Sequence, residues 1–238
     1  MKPAPVRSAP PNSALLTGQS RNHLQEVFPG HFLHRDVVAA YLTLVEQAAK
    51  AGITLRLASG FRSFDRQLAI WNAKARGERP VVDSEGQLVA MAALDERDQM
   101  LAILRWSALP GASRHHWGCD MDIWDSGAVA SDYHLQLTVD EYAVGGPFYA
   151  CSRWLDEWIS GGKTAFFRPY IEADKGSEIA GVAAEPWHLS FRPLASVYEA
   201  ALTRDVLRQL IENTDICLQR TILENLDEIY SRFIRLEY

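Results

Sequence analysis

Cysteine is scarce in this chain and shows no pairing pattern. Cys119, Cys151 and Cys217 are scattered, odd in number and free of any C-x-x-C spacing. A disulfide framework and a thiolate zinc site are therefore not expected, and a reducing compartment fits. No run of about eighteen apolar residues occurs, so no transmembrane helix is expected. A basic excess is also missing: 24 Lys and Arg stand against 30 Asp and Glu, a formal charge of −6. That argues against a protein that tracks nucleic-acid phosphates. Met1 to Ala14 is rich in proline and serine and lacks the apolar stretch of a secretory signal, so a cytoplasmic location is expected.

What is present is ordinary for a soluble globular protein, with 47% hydrophobic and 23% charged residues over 238 positions. A single domain of that size can bury a full core. Residues 1–20 read as a flexible lead-in, because Pro3, Pro5, Pro10 and Pro11 discourage regular structure. Val37, Tyr41, Leu44, Val45 and Ala48 recur at helical spacing before Gly52. Ile53, Leu55 and Leu57 then alternate with Thr54 and Arg56 in the period of a half-buried strand. A helix is predicted over Phe64, Leu68, Trp71 and Ala75, ending at Gly77. Val81-Val82 and Leu88-Val89 flank a turn, as in a short hairpin. Further helices are predicted near 95–107 and 140–160, with strands around Met121 to Ile123 and Trp187 to Phe191. From Leu194 onward the chain reads as helical, with Leu223, Leu226, Ile229, Tyr230, Phe233 and Ile234 in one stripe. The class is α+β, a small antiparallel sheet flanked by helices. Residues 21–195 would form the main domain, with 78–112 inserted at its cleft, and 196–238 a helical extension packed on it. The terminal stripe would cap the domain or make a homodimer contact.

The richest chemistry lies in Ser113-Arg114-His115-His116-Trp117-Gly118-Cys119-Asp120-Met121-Asp122. On a helix, His115 and Asp122 would sit roughly 10 Å apart, too far to share an ion. They can meet only if the chain folds back, and Gly118 permits such a turn. An imidazole nitrogen and a carboxylate oxygen suit zinc, whose catalytic sites use three protein ligands and leave one position to water. The third candidate is in Glu185-Pro186-Trp187-His188. Pro186 disfavours helix at Glu185, so this is not the helical H-E-x-x-H arrangement. His188 would leave a strand on the face opposite Trp187 and Leu189, with Glu185 near enough to take a proton from an activated water.

Each piece alone is commonplace; their order is not. Ser59-Gly60-Phe61-Arg62-Ser63, then Ser113 to Asp122, then Glu185 to His188 match S-G-Y/F-R-S, S-x-H-x-x-G-x-A-x-D and E-P-W-H in sequence. The chain thereby resembles the zinc D-alanyl-D-alanine carboxypeptidases of the vancomycin-resistance type and their L,D-carboxypeptidase relatives, over roughly residues 35–195. The resemblance implies the α+β metallopeptidase fold shared with lysostaphin-like enzymes and the hedgehog signalling domain. It implies Zn2+ held by His115, Asp122 and His188, Glu185 as catalytic base, and Arg62 as oxyanion partner. Ser113 and Gln67 match positions lining the substrate pocket. The implied substrate is a peptidoglycan stem peptide or muropeptide, with no nucleic acid.

One departure stands out. The family pattern has a small residue where this chain has Asp120. Asp120 and Asp122 share a strand face, so a second carboxylate could orient a ligand histidine, narrow the pocket or compete with Asp122. His116 reads as structural or pocket-lining, Cys119 as a packed thiol, and Trp106, Trp117 and Trp187 as core or cleft wall. A carboxypeptidase of D,D or L,D type is the leading expectation. A peptidoglycan endopeptidase and a non-catalytic zinc-binding interaction module are the alternatives. A structural zinc site needs neither Glu185 nor Arg62, and both are present.

Overall fold

A four-stranded antiparallel sheet positions everything that follows. The structure, a computed structural model, describes residues 11–171 and 181–235. Sheet order is β3 (Leu55–Ser59), β4 (Asp120–Asp125), β6 (His188–Phe191), β5 (Phe166–Phe167). In β3 the alternation works as expected, with Leu55 and Leu57 buried and Arg56 exposed. The interior strand β4 buries Met121 and Ile123 in the core, and its pleat turns Asp120 and Asp122 to the opposite face. That polar face of a buried strand is where the chemistry gathers.

Helix α2 (Arg35–Lys50) buries Val37, Tyr41, Leu44 and Ala48, a stripe at spacings of three and four, against this sheet. Helix α3 (Phe64–Ala75) starts where the Ser63 hydroxyl accepts from Arg66 N, and buries Phe64, Gln67 and Trp71. α4 (Glu96–Leu104) is capped by Asp95. The Val82–Leu88 pair forms a single antiparallel bridge around a turn held by Asp83, whose carboxylate accepts from Glu85 N and Gln87 N.

Several expectations need correction. Residues 11–20 are not a loose lead-in. Asn12 caps the one-turn helix α1 (Ser13–Leu16), Leu16 is buried, and its carbonyl accepts from Trp117 Nε1 at 3.1 Å. Gly18, at φ +76°, lies so close to His116 that a Cβ there would come within 2.3 Å of Nδ1. Residues 1–10 lie outside the described residues. The single helix expected over 140–160 is two, α5 (Val139–Tyr142) and α6 (Tyr149–Ser160). Gly145-Gly146-Pro147 separates them, and a Cβ at Gly146 would collide with Asp140 O. The hairpin β1 (Leu24–Phe28) and β2 (His31–His34), around Pro29-Gly30, was not foreseen.

The C-terminal helices are α7 (Arg192–Ala201), α8 (Arg204–Glu212), α9 (Gln219–Glu224) and α10 (Leu226–Ile229). Leu226, Ile229, Phe233 and Ile234 are buried in the same core cluster as Leu57 and Met121. Trp71 Nε1 donates to Cys217 O at 3.0 Å, which ties α3 to this region. The apolar stripe is thus spent within the chain, and the homodimer contact expected of it loses the surface on which it rested.

Candidate active site

A 3-10 turn over residues 114–117 carries His115 to the start of β4. It ends at Gly118, whose φ of +70° is left-handed and whose position admits no side chain: a Cβ would lie 2.8 Å from both His34 N and Leu24 Cδ2. This is the fold-back that His115 and Asp122 require. His115 Nδ1 lies 2.8 Å from Gly60 O. A carbonyl can only accept, so Nδ1 carries the proton and Nε2 is left facing Asp122 Oδ2 at 3.4 Å.

Antiparallel register does the rest. Asp122 on β4 is directly opposite His188 on β6. His188 Nδ1 stands 3.3 Å from Asp122 Oδ1 and 3.1 Å from Glu185 Oε2. The donor atoms of His115, Asp122 and His188 all lie within 4.8 Å of one another, and all three residues are buried. His115 Nε2 and His188 Nδ1 approach the two oxygens of the one Asp122 carboxylate, at 3.4 and 3.3 Å, so the three side chains converge on a single centre.

Charge points the same way. Asp122 Oδ1 is buried without a hydrogen-bond partner, and such an atom is costly unless something else satisfies it. Burial opposes ionisation of Asp122, yet His115 and His188 outweigh it and hold the carboxyl below the usual range. Burial would discharge His188, but Asp120, Asp122 and Glu185 push its pKa well above the ordinary value. The pocket therefore calls for positive charge at its centre. A two-imidazole, one-carboxylate donor set fits a zinc-like divalent ion.

Asp120 does not compete with Asp122 for that centre. Its Oδ2 accepts from His188 Nε2 at 2.9 Å and from Arg114 Nε at 2.8 Å. Its Oδ1 accepts from Ser190 Oγ at 2.8 Å and from Cys119 Sγ at 3.3 Å. Arg114, buried, also donates to Glu199 Oε2 at 3.0 Å and to Ser190 Oγ at 2.7 Å. Sequence reasoning left Asp120 open and passed over Arg114, whose partners lie 76 and 85 residues downstream. Its only signal was adjacency to His115.

Arg62 lines the cleft, and its guanidinium donates to Gln67 Oε1 at 3.0 Å and Ser59 Oγ at 3.4 Å. Gln67 itself is fully buried and spends its amide on Ala108 O at 2.7 Å. It sits behind Arg62 rather than in the cleft wall, which corrects its expected place lining the substrate pocket. Ser113 does line the cleft. His116 is structural: Nδ1 donates to Arg62 O at 2.6 Å, Nε2 accepts from Gly111 N at 3.1 Å, and burial pushes its pKa down to about 3. Trp117 belongs to the core, not the cleft.

The cleft over this centre has a volume of about 1210 Å³. Its walls come from residues 82 and 84–87 and 105–108, from 136–140, and from Tyr170, Trp187 and neighbours. Trp187 packs with Tyr142 and Phe148 in an aromatic cluster separate from the main core, joined by Trp106 and Leu137.

The model of the VanY family, D-alanyl-D-alanine carboxypeptidase, matches residues 30–194. The chain belongs to this family. As a VanY-family peptidase it is similar to a D-alanyl-D-alanine carboxypeptidase of Enterococcus faecalis, 30% identical over 155 residues that cover 65% of this chain and 46% of that protein. An uncharacterized protein of Haemophilus influenzae is 46% identical over 99 residues, 40% of this chain and 68% of that one. Among solved structures, VanYB in complex with D-alanine-D-alanine has a TM-score of 0.52 at 22% identity, covering 82% of this chain and 92% of that chain. That likeness shares the fold: mixed helices and small antiparallel sheets.

Proposed function

We propose that this VanY-family chain is a zinc-dependent carboxypeptidase that hydrolyses the terminal D-alanine from peptidoglycan stem peptides. The observation that carries it is the convergence of His115, Asp122 and His188, with Glu185 Oε2 3.1 Å from the His188 nitrogen that faces them. When bound, zinc supplies a Lewis acid that brings the pKa of water to about 7.

Glu185 takes the proton of the attacking water and passes it to the departing amine of D-alanine. Its side chain is 13% exposed and lines the cleft. Arg62 shares the charge that develops on the carbonyl oxygen, with its guanidinium fixed by Gln67 and Ser59. Ser113 offers a hydroxyl to the peptide. The cleft exceeds the roughly 300–1000 Å³ of small-molecule pockets, which suits an extended stem peptide. The 84–87 turn and residues 105–108 border it, and surface loops on a rigid scaffold commonly set specificity.

Mass spectrometry of pentapeptide and tetrapeptide stems after incubation with the zinc-loaded protein tests this. Loss of one alanine mass is expected, and the stem that shortens separates D,D- from L,D-activity. Intact peptides in the presence of bound zinc would overturn it.

A further inference from the structure

The buried group that peptide hydrolysis as derived above does not use is Asp120, with Arg114 locked onto it. Asp120 is fully buried behind His188, and Arg114, although it borders the cleft, is only 3% exposed. A buried ion pair is a poor source of stability, because desolvating both charges offsets most of the attraction. Its retention inside a core points to another service. Resting on the metal reading above, we propose that Asp120, clamped by Arg114 and Ser190, is the positioning residue that commits His188 to ligation through Nδ1.

An imidazole can present either nitrogen to a metal, and the hydrogen bond made by one decides which is free. Asp120 Oδ2 lies 2.9 Å from His188 Nε2, so the ring keeps a proton at Nε2, and Nδ1, which faces Asp122 and Glu185, is the nitrogen that an ion at the centre would take. A hydrogen-bonded carboxylate also makes the ring a stronger donor to the ion. The register makes this possible: Asp120 pairs with Ser190 and Asp122 with His188, so two consecutive inward residues of β4 address the two nitrogens of one ring.

Asp120 in turn cannot drift. Arg114 Nε and Ser190 Oγ each hold it at 2.8 Å. Arg114 is anchored by Glu199 on α7 and lies over the Trp117 ring at 4.9 Å. The clamp thus runs from α7 through Arg114 and Asp120 to the metal-facing imidazole.

Zinc affinity of the full chain, measured by competition with a chromophoric chelator, tests the clamp in D120N, D120A and S190A. Long-range 1H–15N NMR of His188 reports the tautomer independently of activity. Zinc binding about 10- to 100-fold weaker is expected in D120N and D120A, with a smaller loss in S190A and a His188 proton no longer confined to Nε2 in D120N. Affinities within twofold of the parent and an unchanged tautomer in folded variants would overturn the clamp while leaving the metal centre standing. Should both Asp120 variants fail to fold, parent-like affinity and tautomer in S190A would overturn it. A parent chain that binds no zinc would overturn both this role and the proposed function.

Discussion

Asp122 and His188 face each other across β4 and β6, and their side chains approach to 3.3 Å although 66 positions separate them in sequence. Because that approach is a product of strand register, it is rigid: a one-residue slip of either strand would turn its own side chain to the opposite face of the sheet and part the two. The geometry of the candidate metal site is therefore a property of the sheet.

Glu185→Ala should abolish peptide hydrolysis while leaving zinc stoichiometry intact. Loss of a general base costs about 100- to 10,000-fold, read as D-alanine release at saturating stem peptide. A rate within tenfold of the parent would remove Glu185 from the chemistry.

Arg62→Ala should lower kcat about 100- to 1000-fold, the usual cost of one oxyanion partner. Gln67→Ala should lower kcat by less and leave KM nearly unchanged, because Gln67 acts through the guanidinium it holds. The double variant should then fall short of the sum of the two losses. Additive effects, or a Gln67→Ala change confined to KM, would return Gln67 to the substrate.

His23 provides a pH dependence away from the cleft. Both ring nitrogens are buried without hydrogen-bond partners, and burial, followed by the neighbouring His34, pushes its pKa from 6.5 down to about 4. The folded state therefore resists protonation that the unfolded state accepts. Stability should be fully present above pH 6.5 and fall as pH drops toward 4, by at most about 3 kcal/mol from this residue. Urea unfolding of His23→Phe across that window should show a flatter acid limb than the parent. Parallel limbs would contradict the assignment.

The C-terminal helices should behave as core. Leu226→Ala is expected to cost about 2–5 kcal/mol, measured by denaturant unfolding. A change under about 0.5 kcal/mol, the scale of surface sites, would mean that α10 does not pack as described.

Legibility in sequence followed contiguity. His115, Asp122, Glu185 and His188 sit in two short motifs, and the left-handed turn at Gly118 was visible as a glycine between two ligand types. Residues whose meaning depends on distant partners were not legible: Asp120 and Arg114 need Ser190 and Glu199 to be understood. Gln67 misled because its motif position suggested the pocket, although its spacing from Phe64 and Trp71 already put it on the inward stripe of α3. The β1–β2 hairpin escaped because its strands are half-exposed and lack alternation. The break between α5 and α6 was signalled by Gly145-Gly146-Pro147, where two glycines and a proline disfavour a continuous helix.

The most direct test of the metal-dependent carboxypeptidase is D-alanine release from a stem peptide by protein stripped of metal and then titrated with zinc. Activity should be absent in the stripped protein and return in proportion to zinc, reaching its plateau at one equivalent per chain. Release that persists without metal, or zinc bound at one equivalent with no release from any stem, would contradict the account.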